Sequence, residues 1–243
     1  MNKEAVIFHI PHASLSLPKE LLGDVLVPYE RVQREALETA DLYCDALFDF
    51  PFGQKIVFPH SRLICDPERF PDDAQEPMAQ KGQGLFYTRL TDGTRFRTSE
   101  FRDTIKSSLY DSHHTELEAA VDCALQEFGE CLIIDCHSFN PQALGFDESV
   151  FIPNVCLGTD DFHTPSDMLT KAIKAVTNVG ESYCIDHPYS GTIVPMKHYK
   201  KDLRVHSIMI ELSRGLYLRD DFDISNGYIE ARKICENIVY AIT

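Results

Sequence analysis

An aspartate and a histidine follow a short apolar run, Cys131-Leu132-Ile133-Ile134, in the segment Asp135-Cys136-His137-Ser138-Phe139. The run reads as a buried strand. Open α/β sheets carry their chemistry at the ends of such strands. Two more runs end in the same way. Val6-Ile7-Phe8 leads into His9-Ile10-Pro11-His12, and Ile208-Met209-Ile210 leads into Glu211. Two imidazoles and a carboxylate at three strand ends suggest a hydrolytic metal centre. Neutral imidazole is a good zinc donor, and a catalytic zinc needs three protein ligands and one open position. His12 and His137 are the imidazole candidates. Asp135 lies two residues before His137, on the same side of an extended chain, where it can orient an imidazole or simply cap a loop.

For the third ligand the candidates are Asp41, Asp45 and Asp66. No H-x-x-E or H-E-x-x-H motif is present. Asp41 and Asp45 sit four apart in a helix expected over 28–49, so they are expected to share a face; helix geometry alone makes that face a solvated one. Glu211 has the type and position of a general base; its plainer use is an ion pair with Arg214 or Arg62. Arg62 and Arg69 bracket Asp66. Their planar forks match carboxylates, so they are candidates for clamping an acidic substrate, against the commoner role of surface ion pairing. His113, His114 and His206 enlarge the histidine set. No G-x-S-x-G elbow, G-x-G-x-x-G or phosphate loop is present.

The elements that must position these residues alternate in type. Strands are expected at 4–9, 55–58, 131–135, about 150–157, 182–185 and 205–211. Helices are expected at 28–49, 100–127, 165–178 and about 224–242. Residues 71–99 read as a long loop, and loops of that length are often functional. Alternating strands and helices imply an α/β sandwich with a mixed sheet. With 243 residues and 44% hydrophobic content the chain can build one sizeable core. A net charge of −15 repels phosphate backbones and disfavours nucleic acid as a partner. The eight cysteines include no C-x-x-C pair and read as small buried hydrophobes. No apolar run approaches the roughly 18 residues of a membrane span, and no signal peptide is evident, so a cytoplasmic location is expected. The oligomeric state is left open.

Seven motifs in order resemble the N-formylglutamate amidohydrolase family over nearly the whole chain. They are Pro11-His12-Ala13-Ser14, Asp41 with Asp45-Ala46-Leu47-Phe48, and Ser61-Arg62 with Asp66-Pro67-Glu68-Arg69. His114-Thr115-Glu116-Leu117, Asp135-Cys136-His137-Ser138 and Pro188-Tyr189-Ser190-Gly191 follow, then Val205-His206 through Glu211 to Leu216 and Tyr217. The strands ending at His137 and Glu211 are also similar to those of zinc carboxypeptidases. The resemblance implies a three-layer α/β sandwich of the phosphorylase/hydrolase-like, zinc carboxypeptidase-like kind, as a single catalytic domain over 1–243. It implies a zinc enzyme that removes formate from N-formyl-L-glutamate in histidine breakdown. Its implied site has His12, Asp41 and His137 on zinc and Glu211 as base, with His206 and His114 as further catalytic groups. Arg62, Arg69, Ser138, Tyr189 and Ser190 would hold a small acidic substrate. The chain departs from the family at Ser14, usually Gly, at Glu68, usually Asn, and at Asp186, usually Asn. A carboxypeptidase-like hydrolase of short peptides and a non-catalytic binder of acidic metabolites are the competing readings.

Overall fold

Six segments of three to nine residues become the strands of one sheet. The computed structural model describes residues 1–145, 147 and 149–243. The strands are β1 (Val6–Ile10), β2 (Gln54–Val57), β3 (Cys131–Phe139), β4 (Val155–Gly158), β5 (Tyr183–Ile185) and β6 (Val205–Ser213). Their order across the sheet is β2-β1-β3-β6-β4-β5. β1, β3 and β6 run parallel, β4 is antiparallel to β6, and β5 is parallel to β4. This is the mixed central sheet of an α/β fold. Every residue of β1 and β3 is buried, as expected of central strands covered on both faces.

Contacts group the chain into two compact units. One comprises Met1–Ile10, Tyr43–Ile56 and Glu118–Thr243; it holds the sheet and the helices Ser166–Asn178 and Tyr228–Ile242. The other comprises Pro11–Leu42 and Val57–Leu117. Its core is built from Val32 and Ala36 of the helix Tyr29–Thr39 with Leu63, Ile64, Leu85, Phe86, Phe96 and Ile105. Among the described residues no helix is long and apolar enough to cross a membrane. All eight cysteines are free, and six are buried.

Two expectations need correction. The helix expected over 28–49 stops at Thr39. The Asp41 amide donates to the His12 carbonyl at 2.9 Å rather than continuing the helical ladder, and Tyr43 then takes φ 64°. Asp41 and Asp45 therefore do not share a helical face: Asp41 is buried and Asp45 exposed. The second correction concerns the strand ends. β3 runs on through Asp135 and His137 to Phe139, and β6 runs through Glu211 to Ser213. Polar residues stay inside these strands because they find one another, as described next.

Candidate active site

Strand register decides which polar side chains of the sheet meet. His9 is aligned with Asp135, His137 with Glu211, and Glu211 with Cys156. Aligned residues project to the same side and alternate residues share it. His9, Asp135, His137, Glu211 and Cys156 therefore lie on one face. Ile134, Cys136, Ile208, Ile210 and Leu157 lie on the other.

On the polar face a buried chain of hydrogen bonds forms. Asp135 Oδ1 meets His9 Nδ1 at 2.8 Å and His137 Nε2 at 3.1 Å, and Oδ2 accepts from the Ile193 amide at 3.1 Å. Burial alone would raise the Asp135 carboxyl; His137 and His9 overcome it and hold the group well below its ordinary 3.8. A carboxylate depressed in the folded state adds stability that is whole above its unfolded value and is lost as pH falls through the folded one. The urea midpoint is thus expected to drop as pH falls below about 4, and Asp135→Asn should flatten that slope. Parallel curves for the two proteins would remove Asp135 as its source.

The segment carrying Tyr189 and Ser190 is laid over this same face. Cys156 Sγ donates to the Tyr189 carbonyl at 3.1 Å, and Ser207 Oγ to the Ile193 carbonyl at 2.8 Å. A Cβ at Gly158 would come within 2.2 Å of the Gly191 oxygen, so the close approach depends on glycine there. Asp186, in the left-handed region, spends its carboxylate on Thr159 and the Gly191 amide. It therefore anchors the turn.

Two predicted residues fall elsewhere. Ser138 alternates with His137 and lies on the opposite face, with its hydroxyl buried and without a hydrogen-bond partner among the described residues. His206 also faces that side, five residues before Glu211, or roughly 17 Å away along the strand.

The second polar cluster lies in the Pro11–Leu42 and Val57–Leu117 unit, around Asp66. Asp66 Oδ1 accepts from His12 Nε2 at 2.8 Å and from the Glu68 amide at 3.1 Å. Its Oδ2 accepts from Arg62 Nη2 at 2.7 Å, Arg62 Nε at 3.1 Å and Tyr87 Oη at 3.2 Å, and lies 3.4 Å from Arg69 Nε. Asp66 is fully buried. Burial would raise its carboxyl, but Arg62, His12 and Arg69 hold it well below the carboxylate range. So Asp66 orients His12, and Arg62 Nε and Nη2 are committed to it. Arg97, buried and stacked 3.5 Å over Phe86, donates to the Leu63 and Ile64 carbonyls and braces the backbone beneath Arg62. His113 packs edge-on against Phe58, and His114 Nε2 donates to the Pro67 carbonyl at 2.7 Å. Ser14 donates to the Pro59 carbonyl at 2.8 Å.

In the neutral ring with Nε2–H given to Asp66, Nδ1 of His12 carries the lone pair. Asp41 Oδ2 and Glu68 Oε2 each lie 3.7 Å from that Nδ1. This is too long for a hydrogen bond. Donor atoms of His12 and Glu68 lie within 4.8 Å of one another, a spacing that two ligands of one cation can have. Burial and Arg62 lower the His12 pKa, yet Asp66 and Asp41 outweigh them and raise it, so this pocket favours positive charge. The donor set fits a divalent metal. Sequence reasoning missed Glu68 as a neighbour of His12; its only signal was a charge where the related motif has Asn.

Comparison with known proteins identifies the family and the fold. The family model for N-formylglutamate amidohydrolase matches residues 4–218. An N-formylglutamate deformylase from Pseudomonas putida is 23% identical over 226 residues, covering 88% of this chain and 82% of that protein. The crystal structure of an N-formylglutamate amidohydrolase from Ralstonia eutropha JMP134 superposes with a TM-score of 0.83 at 20% identity, covering 98% of this chain and 91% of that one. A gene product of Agrobacterium tumefaciens gives 0.66 at 18% identity, covering 99% and 91%.

Proposed function

The chain belongs to the N-formylglutamate amidohydrolase family, and from that premise we propose that it hydrolyses the formamide of N-formyl-L-glutamate to formate and glutamate. The observation that carries the reading is the His12 site, an imidazole oriented by Asp66 with the Glu68 carboxylate at ligand spacing. His12, Asp41 and His137 are proposed as the protein ligands of one zinc ion. Bound there, zinc would polarise the formyl carbonyl and make water acidic enough to react near neutral pH. Glu211 is the proposed base: a carboxylate oxygen takes the proton from the attacking water and returns it to the leaving amine nitrogen. Asp135 and Asp66 orient the imidazoles of His137 and His12 through the bonds already described. Arg69, held only loosely by Asp66, is the better of the two arginines for a substrate carboxylate. Tyr189 and Ser190, on the segment over the Glu211 face, are further proposed substrate contacts. A place in histidine breakdown follows from that substrate.

The deciding experiment is a panel of N-formyl and longer N-acyl amino acids, scored by release of free amino acid, with metal content measured on protein purified without added zinc. Formylglutamate should be turned over fastest, by protein carrying about one metal ion per chain. Preference for short peptides would favour a carboxypeptidase-like reaction, and metal-free protein without turnover would favour a binding role.

A further inference from the structure

We propose that the cleft between residues 80–83 and 89–93 binds a small organic dianion, a dicarboxylate whose two acidic groups are joined by a short carbon chain. The cleft is independent of the hydrolase reading, since none of its lining residues belongs to either polar cluster described above.

Both walls come from one stretch of the Pro11–Leu42 and Val57–Leu117 unit, inside the long loop expected over 71–99. A tight helical turn, Pro77–Lys81, ends at Gly82, which takes φ 76°. The Gly82 carbonyl accepts from the amides of Thr88 at 2.8 Å and Arg89 at 3.1 Å, which brings the second wall alongside. A Cβ at Gly82 would come within 2.8 Å of Arg89 Cγ, so the arginine stem lies against bare backbone there. The second wall then turns. The Gly93 amide donates to the Leu90 carbonyl at 2.9 Å, and Arg89 Nη1 donates to the Gly93 carbonyl at 2.7 Å. The space enclosed is about 390 Å³, within the roughly 300–1,000 Å³ of small-molecule sites.

Charge and hydrogen bonding set the chemistry of the occupant. Lys81 and Arg89 both line the cleft, and neither has a carboxylate partner among the described residues. The acid on its wall, Asp92, is paired with Arg31. Glu35, reaching Thr91 from the helix Tyr29–Thr39, is bonded to the Thr91 amide and hydroxyl. Two unmatched cations in a chain of net charge −15 make a local field that attracts anions. Gln83 is an independent sign of a ligand. It lines the cleft, is only 7% exposed, and its carboxamide has no hydrogen-bond partner among the described residues. A buried amide left unmatched is costly, and native structures rarely keep one without a use. Arg89 retains the Nε–Nη2 edge of its fork for one carboxylate. Lys81 offers a point charge to a second, and Gln83 adds a neutral donor. Leu90, buried on the same wall, suits the carbon chain between the acids.

The test uses the full chain, isotope-labelled for amide NMR, with glutarate as the probe and inorganic phosphate and chloride as comparison anions. Glutarate should shift the backbone amides of Lys81, Thr91 and Gly93 and the side-chain amide of Gln83 along saturable curves. Lys81→Gln and Arg89→Gln should each weaken it at least about tenfold, the low end for losing a hydrogen bond to a charged group. Gln83→Met, which keeps the length of the side chain, should weaken it by less. Arg69→Ala, outside the cleft, should leave these curves unchanged, which separates the cleft from the catalytic site. Shifts that never saturate, or that keep full affinity in Lys81→Gln and Arg89→Gln, would overturn the proposal. So would loss of the signal in Arg69→Ala. Phosphate or chloride binding as tightly as glutarate would overturn it too, reducing the cleft to a general attraction for anions. Turnover is not the readout, so failure of the hydrolase reading leaves this test intact.

Discussion

Glu211→Gln is expected to fold and bind metal as the wild type does, yet to lose at least about 100-fold in kcat, the lower end for removing an acid–base group. The amide keeps the size of the side chain and a hydrogen-bonding oxygen, so packing between β3 and β4 should survive. It cannot accept and then return a proton. The loss should fall on kcat rather than KM, because the group acts in the transition state. The comparison is made on the best substrate of the acyl panel, with circular dichroism and metal content as controls. Near-normal kcat would move the role to another group. His206 is a poor heir, since it lies at the far end of β6 on the opposite face. His114 is a poor one as well, since its Nε2 proton is given to the Pro67 carbonyl.

Asp66→Ala should cost about 3 kcal/mol in a urea unfolding titration. Removing one member of a buried ion cluster typically costs 3–5 kcal/mol, because the remaining charges stay desolvated and unmatched. The lower figure applies here, since Arg62 and Arg69 keep 16% and 26% of their side-chain surface in water and can recover some hydration. The same change leaves His12 without its orienting partner, so metal affinity should fall by roughly 10- to 100-fold. Arg69→Ala is the contrast. Its nitrogen sits 3.4 Å from Asp66 Oδ2, beyond a good hydrogen bond, and its loss should cost well under half as much as that of Asp66. A cost below about 1 kcal/mol for Asp66→Ala would mean that the cluster behaves as a surface ion pair.

What the residues disclose on their own is mostly local. β1, β3 and β6 were legible because their apolar runs are short, dense and bounded by polar or turn residues. The α/β class followed from alternation of strand and helix. The break after Thr39 was not legible, because the amide that ends the helical ladder is bonded to His12, far away in sequence. The partner of Arg69 was not legible for a similar reason: Asp66 and Glu68 both lie beside it in sequence, and packing turns its guanidinium towards Asp66. His9 stood in plain view as part of a strand, and its bond to Asp135 depends on a register that no single strand encodes. Ser138 shows the opposite case: its neighbour His137 reaches the polar face, so alternation alone sends the serine away from it.

The cysteines leave the molecule with a built-in chemical clock. Six thiols are buried, and burial drives those of Cys131 and Cys156 up to about 12 and about 11. A thiol that stays protonated and enclosed is inert to alkylation. Cys123 is the one exposed thiol among the described residues, and Cys184 is half-buried. A maleimide or iodoacetamide pulse therefore reads the native chain as a fast modification at Cys123 followed by a slower one at Cys184, and each further mass increment marks a region that has opened. Cys65 would report on the core around Leu63 and Ile64, and Cys136 and Cys235 on the sheet and the last helix. Opening of the two units could then be followed separately in one mass spectrum, with no residue changed to do so.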